Sequence, residues 1–94
     1  MTYFHGTVAV LRPGDLIEPG RSANFRADGG TETSVFLSDD EDEAYFWADA
    51  VADRVGGEAR VYRVRPTGAL RPDDRTANSG NYRSDYPLVV EEER

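Results

Sequence analysis

Residues 34–65 read SVFLSDDEDEAYFWADAVADRVGGEARVYRVR, and this stretch decides the fold. Ser34-Val35-Phe36-Leu37, coming after the turn signal Asp28-Gly29-Gly30, predicts a short strand. Ser38-Asp39-Asp40-Glu41 then matches a capping box, in which the serine hydroxyl and the glutamate carboxylate satisfy backbone donors that a helix start leaves orphaned. The acidic residues of that first turn also suit the helix dipole. Ala44, Trp47, Ala48, Val51 and Val55 recur at three- and four-residue steps and so line one helix face. Gly56-Gly57 stops the helix. From Ala59 to Arg65 the pattern changes to strict alternation, which predicts a strand ended by Pro66 and Gly68, with the arginines marking one wet face.

Working outward, Thr2-Tyr3-Phe4-His5-Gly6 is rich in strand formers and ends at a glycine, so His5 is its last side chain. Leu11 to Gly20 carries two Pro/Gly pairs around the apolar island Leu16-Ile17 and predicts an ordered loop. Arg71 to Asn81 is polar and, at about a dozen residues, has a length that is usually functional or mobile. Pro87-Leu88-Val89-Val90 predicts a last strand, and Glu91-Glu92-Glu93-Arg94 a solvated tail. The order strand, loop, strand, helix, strand, loop, strand implies one α+β domain over residues 1–94, with a mainly β core and one principal helix.

The chain has 94 residues, 38% hydrophobic and 31% charged. It contains no apolar run near the roughly 20 residues a membrane helix needs, so a soluble protein is expected and no membrane partner. Met1-Thr2-Tyr3-Phe4-His5 lacks the basic start and apolar core of a secretory signal. With no cysteine there is no disulfide framework and no thiolate metal site, and the cytoplasm is the default compartment. A net charge of -7 repels phosphate backbones, which disfavours general nucleic-acid binding. All eleven basic residues are arginine, a bias that GC-rich codons explain.

Candidates for chemistry are few. The sole histidine, His5, lies beside Gly6 and Thr7, where a backbone without a Cβ lets a ligand approach; a lone histidine equally serves structure. A zinc site needs three or four convergent ligands and is not expected from one histidine, while magnesium on carboxylates stays open. There is no Gly-x-Ser-x-Gly elbow and no phosphate-binding glycine loop. Asp73-Asp74 sits in the long loop, as a turn former or a functional pair. Phe36 and Trp47 read as core by their apolar character. Composition and spacing alone reach a small soluble α+β domain.

Taken in order, Tyr3-Phe4-His5-Gly6-Thr7, Leu11-x-x-Gly14-Asp15-Leu16-Ile17-Glu18-Pro19-Gly20 and Ser22-Ala23-Asn24-Phe25 resemble the rifamycin ADP-ribosyltransferases. The likeness continues through Val35-Phe36-Leu37-Ser38, Ala44 to Ala52 with Trp47, and Arg60 to Gly68. Asp73-Asp74 falls at the family's acidic pair, and Tyr82-Arg83-Ser84 with Pro87-Leu88 resembles its last motif. The resemblance covers residues 3 to about 91; its specificity lies in the ordered set. The chain ends at Arg94, soon after the Leu88 to Val90 strand, where the drug-modifying relatives continue, so the expectation is a short member whose acceptor pocket lacks that segment.

The resemblance implies a split small β core around a nicotinamide cleft and transfer of ADP-ribose from NAD, a consumed donor, to a hydroxyl of a rifamycin. By position the family's histidine is His5, its tyrosine is replaced by Phe36, and its aspartate is Asp73 if the turn aligns without a gap or Asp74 with one; Asp73 is preferred. His5, Gly6, Thr7 and Phe36 form the implied donor-binding set, and no metal is implied. Breaking the nicotinamide–ribose bond builds positive charge on the ribose, which a carboxylate stabilises. Phe36 keeps a stacking face but lacks the hydroxyl, a loss of about 1 kcal/mol that slows the reaction roughly fivefold to tenfold. The alternatives are a weak or inactive binding module, completed in one version by a partner chain, and a transferase acting on a protein or nucleic acid.

Overall fold

The computed structural model describes residues 1–19, 34–73 and 80–94. Gly20, the Ser22-Ala23-Asn24-Phe25 motif, the Asp28-Gly29-Gly30 turn and Asp74 lie outside the described residues. The elements are β1 (Tyr3–Thr7), β2 (Leu16–Ile17), β3 (Val35–Ser38), α1 (Glu41–Val55), β4 (Arg60–Pro66), β5 (Leu70–Pro72), β6 (Asn81–Ser84) and β7 (Leu88–Glu93). The strands form one sheet in the order β2-β7-β4-β1-β3-β6-β5, antiparallel at every pairing. This is the expected small α+β fold with a mainly β core and one principal helix.

Pairing strength varies across that sheet. β1 pairs with β4 continuously from Tyr3↔Val64 to Thr7↔Arg60. With β3 it pairs at Phe4↔Ser38 alone. A seam therefore divides the four strands β2-β7-β4-β1 from the three strands β3-β6-β5.

The two faces of the sheet are distinct. Val35, Leu37, Tyr62, Val64, Leu88 and Val90 form one buried cluster, joined by Ile17 and Leu70 from the edge strands β2 and β5. A flat seven-stranded sheet would hold its edges almost 30 Å apart at about 4.8 Å per strand, so a cluster fed from both edges requires a sheet curled around it. The opposite face carries α1, through a smaller cluster of Ala44, Ala48 and Val61 with Phe4 against it. Gly6 sets how near the helix comes, because a Cβ there would collide with the Ala44 carbonyl and lie 2.9 Å from the Ala48 nitrogen. The close approach that the missing Cβ allows is thus made by α1, where the sequence suggested a ligand.

Five sequence expectations need correction. Ser38 is not the helix cap: as the last residue of β3 it faces Asn81, and its hydroxyl accepts from Asp40 N–H at 3.1 Å. Asp40 caps instead, accepting from Asp42 N–H at 2.9 Å, and Glu41 turns away to Arg94. The turn-rich Leu11 to Gly20 segment contains β2, because Leu16 and Ile17 pair with Val89 and Leu88. The ends of the polar Arg71 to Asn81 stretch belong to β5 and β6; Pro72 is tolerated because β5 is an edge. Finally, the acidic tail is strand: β7 runs to Glu93, and its glutamates face the arginines of β4, so pairing outweighs their low strand propensity. At the other end of the helix Gly56, at φ 81°, caps with its N–H on the Ala52 carbonyl, which leaves Val55 exposed rather than on the apolar face.

Candidate functional site

The seam is bridged by one side chain. His5 Nδ1 lies 2.7 Å from the Phe36 carbonyl oxygen, across the point where β1 and β3 part. A carbonyl only accepts, so Nδ1 carries the proton, and in the neutral ring Nε2 becomes an acceptor. Burial lowers the His5 pKa below its usual 6.5, with the Phe36 carbonyl pulling the other way. Neutral His5 with its acceptor nitrogen fixed is therefore the resting form.

Strand alternation assigns the face of each neighbour. Val35, Leu37, Tyr82 and Leu70 join the concave core, so Phe36, Ser38, Asn81, Arg83 and Arg71 point to the other side, where α1 lies. Side-chain contacts agree with this. The Phe36 ring packs on Trp47 of α1, centroids 5.2 Å apart at 58°. Asn81 Nδ2 donates to Glu43 Oε1 at 3.0 Å, an oxygen that also accepts from Trp47 Nε1 at 3.3 Å. Asp73 extends the ladder past β5, its N–H on the Asn81 carbonyl at 3.0 Å, so it returns to the same side as Arg71. It is 4% exposed.

Two rows of residues result. Ser38, Asn81 and Asp73 make one, next to Glu43 and Trp47; Phe36, Arg83 and Arg71 make the next. Carboxylates of Asp73 and Glu43 accompany the first row, and the guanidinium groups share the second with the Phe36 ring. A ligand with a flat cationic ring and an anionic diphosphate matches those groups; His5, alternating with Phe4 and Gly6, lies with Tyr3 on the concave side of the seam, where its Nε2 acceptor suits a sugar hydroxyl. The residues present thus fit NAD.

Of the residues expected at the site, the structure joins His5 to Phe36 directly and places Asp73 on the Phe36 face. Gly6 is committed on its Cα side to α1, and Thr7 ends β1 with its hydroxyl accepting from Ala9 N–H at 3.2 Å. Phe36 and Trp47, expected in the core, are half-buried and line this face. Sequence reasoning gave no site role to Glu43, Asn81 or Arg71, and met Arg83 in a motif without giving it a role. The signal for Asn81 and Arg83 was the alternation Asn81-Tyr82-Arg83-Ser84, too short to stand out beside a polar run. Among the described residues no group of three or more side chains could hold a metal ion. Nor does any helix among them have the length and apolarity to cross a membrane.

A family model described as Rifampin ADP-ribosyl transferase matches residues 3–93. No curated protein matches the chain.

Proposed function

The chain belongs to the rifampin ADP-ribosyl transferase family, and from that premise we propose that it transfers ADP-ribose from NAD to a hydroxyl of a rifamycin-like acceptor in the cytoplasm. The observation that carries the proposal is the His5–Phe36 bond across the seam, which fixes the tautomer of His5 against the backbone of the strand whose Phe36 ring shares a face with buried Asp73. The seam corresponds, in this reading, to the split of an ADP-ribosyltransferase core.

NAD supplies the ADP-ribosyl group and a leaving group: the bond from ribose C1′ to the nicotinamide nitrogen breaks, and its electron pair stays with nicotinamide. His5 accepts a hydrogen bond from a ribose hydroxyl at Nε2, held in that tautomer by the Phe36 carbonyl. Phe36 stacks on the nicotinamide ring, a contact worth roughly 1 kcal/mol beyond the buried area. The Gly6 backbone holds the nicotinamide amide, with Thr7 beside it. Asp73 stabilises the positive charge that develops at C1′, more strongly in the transition state than before it. The acceptor oxygen then bonds to C1′ and releases its proton to solvent.

Mass spectrometry of the protein incubated with NAD and rifampicin tests this reading. The expected result is a drug mass raised by one ADP-ribose. Free nicotinamide with unmodified drug would move the acceptor to another small molecule, a protein or a nucleic acid, and intact NAD would reject the transferase. A second reading, a weak or inactive binding module, is favoured by Phe36, which carries no hydroxyl where the family has tyrosine. Phe36→Tyr separates the two. In an active enzyme kcat rises about fivefold to tenfold, the equivalent of one hydrogen bond; activity that appears only in the variant establishes the module.

A further inference from the structure

Glu43 is anchored through one of its two oxygens. Oε1 accepts from Trp47 Nε1, one helical turn further on, at 3.3 Å, and from Asn81 Nδ2 on β6 at 3.0 Å. Both donors are neutral. Among the described residues no donor is bonded to Oε2, and Glu43 has no ion pair. Other glutamates of the chain are treated differently: Glu41 meets Arg94, Glu91 and Glu92 meet Arg63, and Glu93 meets Arg60. Glu43 is half-buried, so its charge is less screened by water than theirs at the surface, yet no cation of the described chain balances it. Its anchors fix the free oxygen in place beside the Phe36–Trp47 ring pair.

We propose that Glu43 is a ligand-binding carboxylate, whose Oε2 recognises the positive charge of a pyridinium ring stacked on Phe36. The proposal rests on the donor reading above and adds to it how the site tells the donor from its product. In NAD the nicotinamide nitrogen is part of a cationic ring. When the bond to ribose C1′ breaks, the ring keeps the electron pair and leaves neutral. A carboxylate fixed beside the ring therefore attracts the donor and not the leaving group, and the aromatic faces next to it favour a cation in the same sense. Glu43 and Asp73 thus divide the positive charge of the reaction: Glu43 meets it on the ring before cleavage, Asp73 at C1′ during cleavage. Because the Glu43 contact is already made in the ground state, it lowers KM more than it raises kcat.

The test is binding of two small rings to the full chain, measured by saturation-transfer NMR: neutral nicotinamide, and nicotinamide methylated on the ring nitrogen, a permanent cation. In Glu43→Gln the side-chain carbonyl can still accept from Trp47 and Asn81, so the charge is lost and the anchor kept. The variant is expected to raise the Kd of the cation roughly threefold to tenfold and to leave that of neutral nicotinamide unchanged. KM for NAD should rise by a similar factor, with a smaller change in kcat. In the wild type, added salt should weaken binding of the cation alone; this readout needs no variant and decides if Glu43→Gln melts early. An equal loss for both rings shows a structural role and overturns the assignment. Unchanged binding of the cation, salt-independent binding in the wild type, or a wild type that binds neither ring overturns it as well. Charge-selective loss without nicotinamide release from NAD upholds Glu43 and rejects the transferase. Nicotinamide release with a KM that the variant does not move does the reverse.

Discussion

On the two sides of the seam, arginines find their counter-charges in different places. In the four-strand half, β4 presents Arg60 and Arg63 to the glutamates of β7, with Arg60 to Glu93 at 3.0 Å, Arg63 to Glu92 at 3.0 Å and Arg63 to Glu91 at 3.3 Å. In the three-strand half, arginine faces arginine on β5 and β6, and Arg71 takes its carboxylate from Asp85, just past the end of β6, at 3.0 and 2.9 Å. In the first half the sheet's own register matches the charges, whereas in the second the register opposes them and a residue beyond the strand supplies the counter-charge. The half with the long ladders holds the helix and most of the core. The half with short strands, attached through Phe4↔Ser38 and His5, carries most of the proposed site.

Substitutions on each side should separate these roles. The largest effect is expected at Asp73: Asp73→Asn keeps the shape and removes the charge, so kcat for nicotinamide release falls by about a hundredfold or more with little change in KM for NAD. Unchanged turnover would shift the carboxylate role elsewhere. On the other side Gly6→Ala forces a methyl group into the backbone of α1, and urea denaturation should show a loss of roughly 1–3 kcal/mol. An unaltered midpoint would mean that the helix can slide.

His5 belongs to both halves, and pH reads its contribution. Its folded pKa is lowered, so the unfolded chain takes up the proton first. Stability is therefore full above about pH 6.5 and falls as the pH drops from there towards the folded value, by up to about 1.4 kcal/mol per pH unit. His5→Asn, which can still donate to the Phe36 carbonyl, should remove that part of the slope in urea titrations between pH 7.5 and 5. An identical slope in the variant would place the proton uptake on other groups. The smallest effect belongs to the paired arginines: Arg63→Gln should cost less than about 1 kcal/mol, because its ion pairs are partly exposed and salt-screened. A larger loss would mean that the ladder, and not the core, holds β4 to β7.

The sequence by itself determined the helix and its stop, the first three strands of the core, the α+β class and, through its ordered motifs, the family. These are local matters: apolar spacing, glycine punctuation and alternation act within a few residues. The candidate trio was legible as well, since His5, Phe36 and Asp73 sit in or beside recognisable motifs. Tertiary structure alone decided that Ser38 serves a strand and Asp40 caps the helix, because the Asn81 partner that claims Ser38 is more than forty residues away. It also decided that Glu91 to Glu93 form a strand, which needs the arginines of β4 opposite them. The opposition of Arg71 and Arg83, and the seam that His5 closes, came from the same source. Register between distant strands fixes which side chains share a face, and no local pattern encodes it.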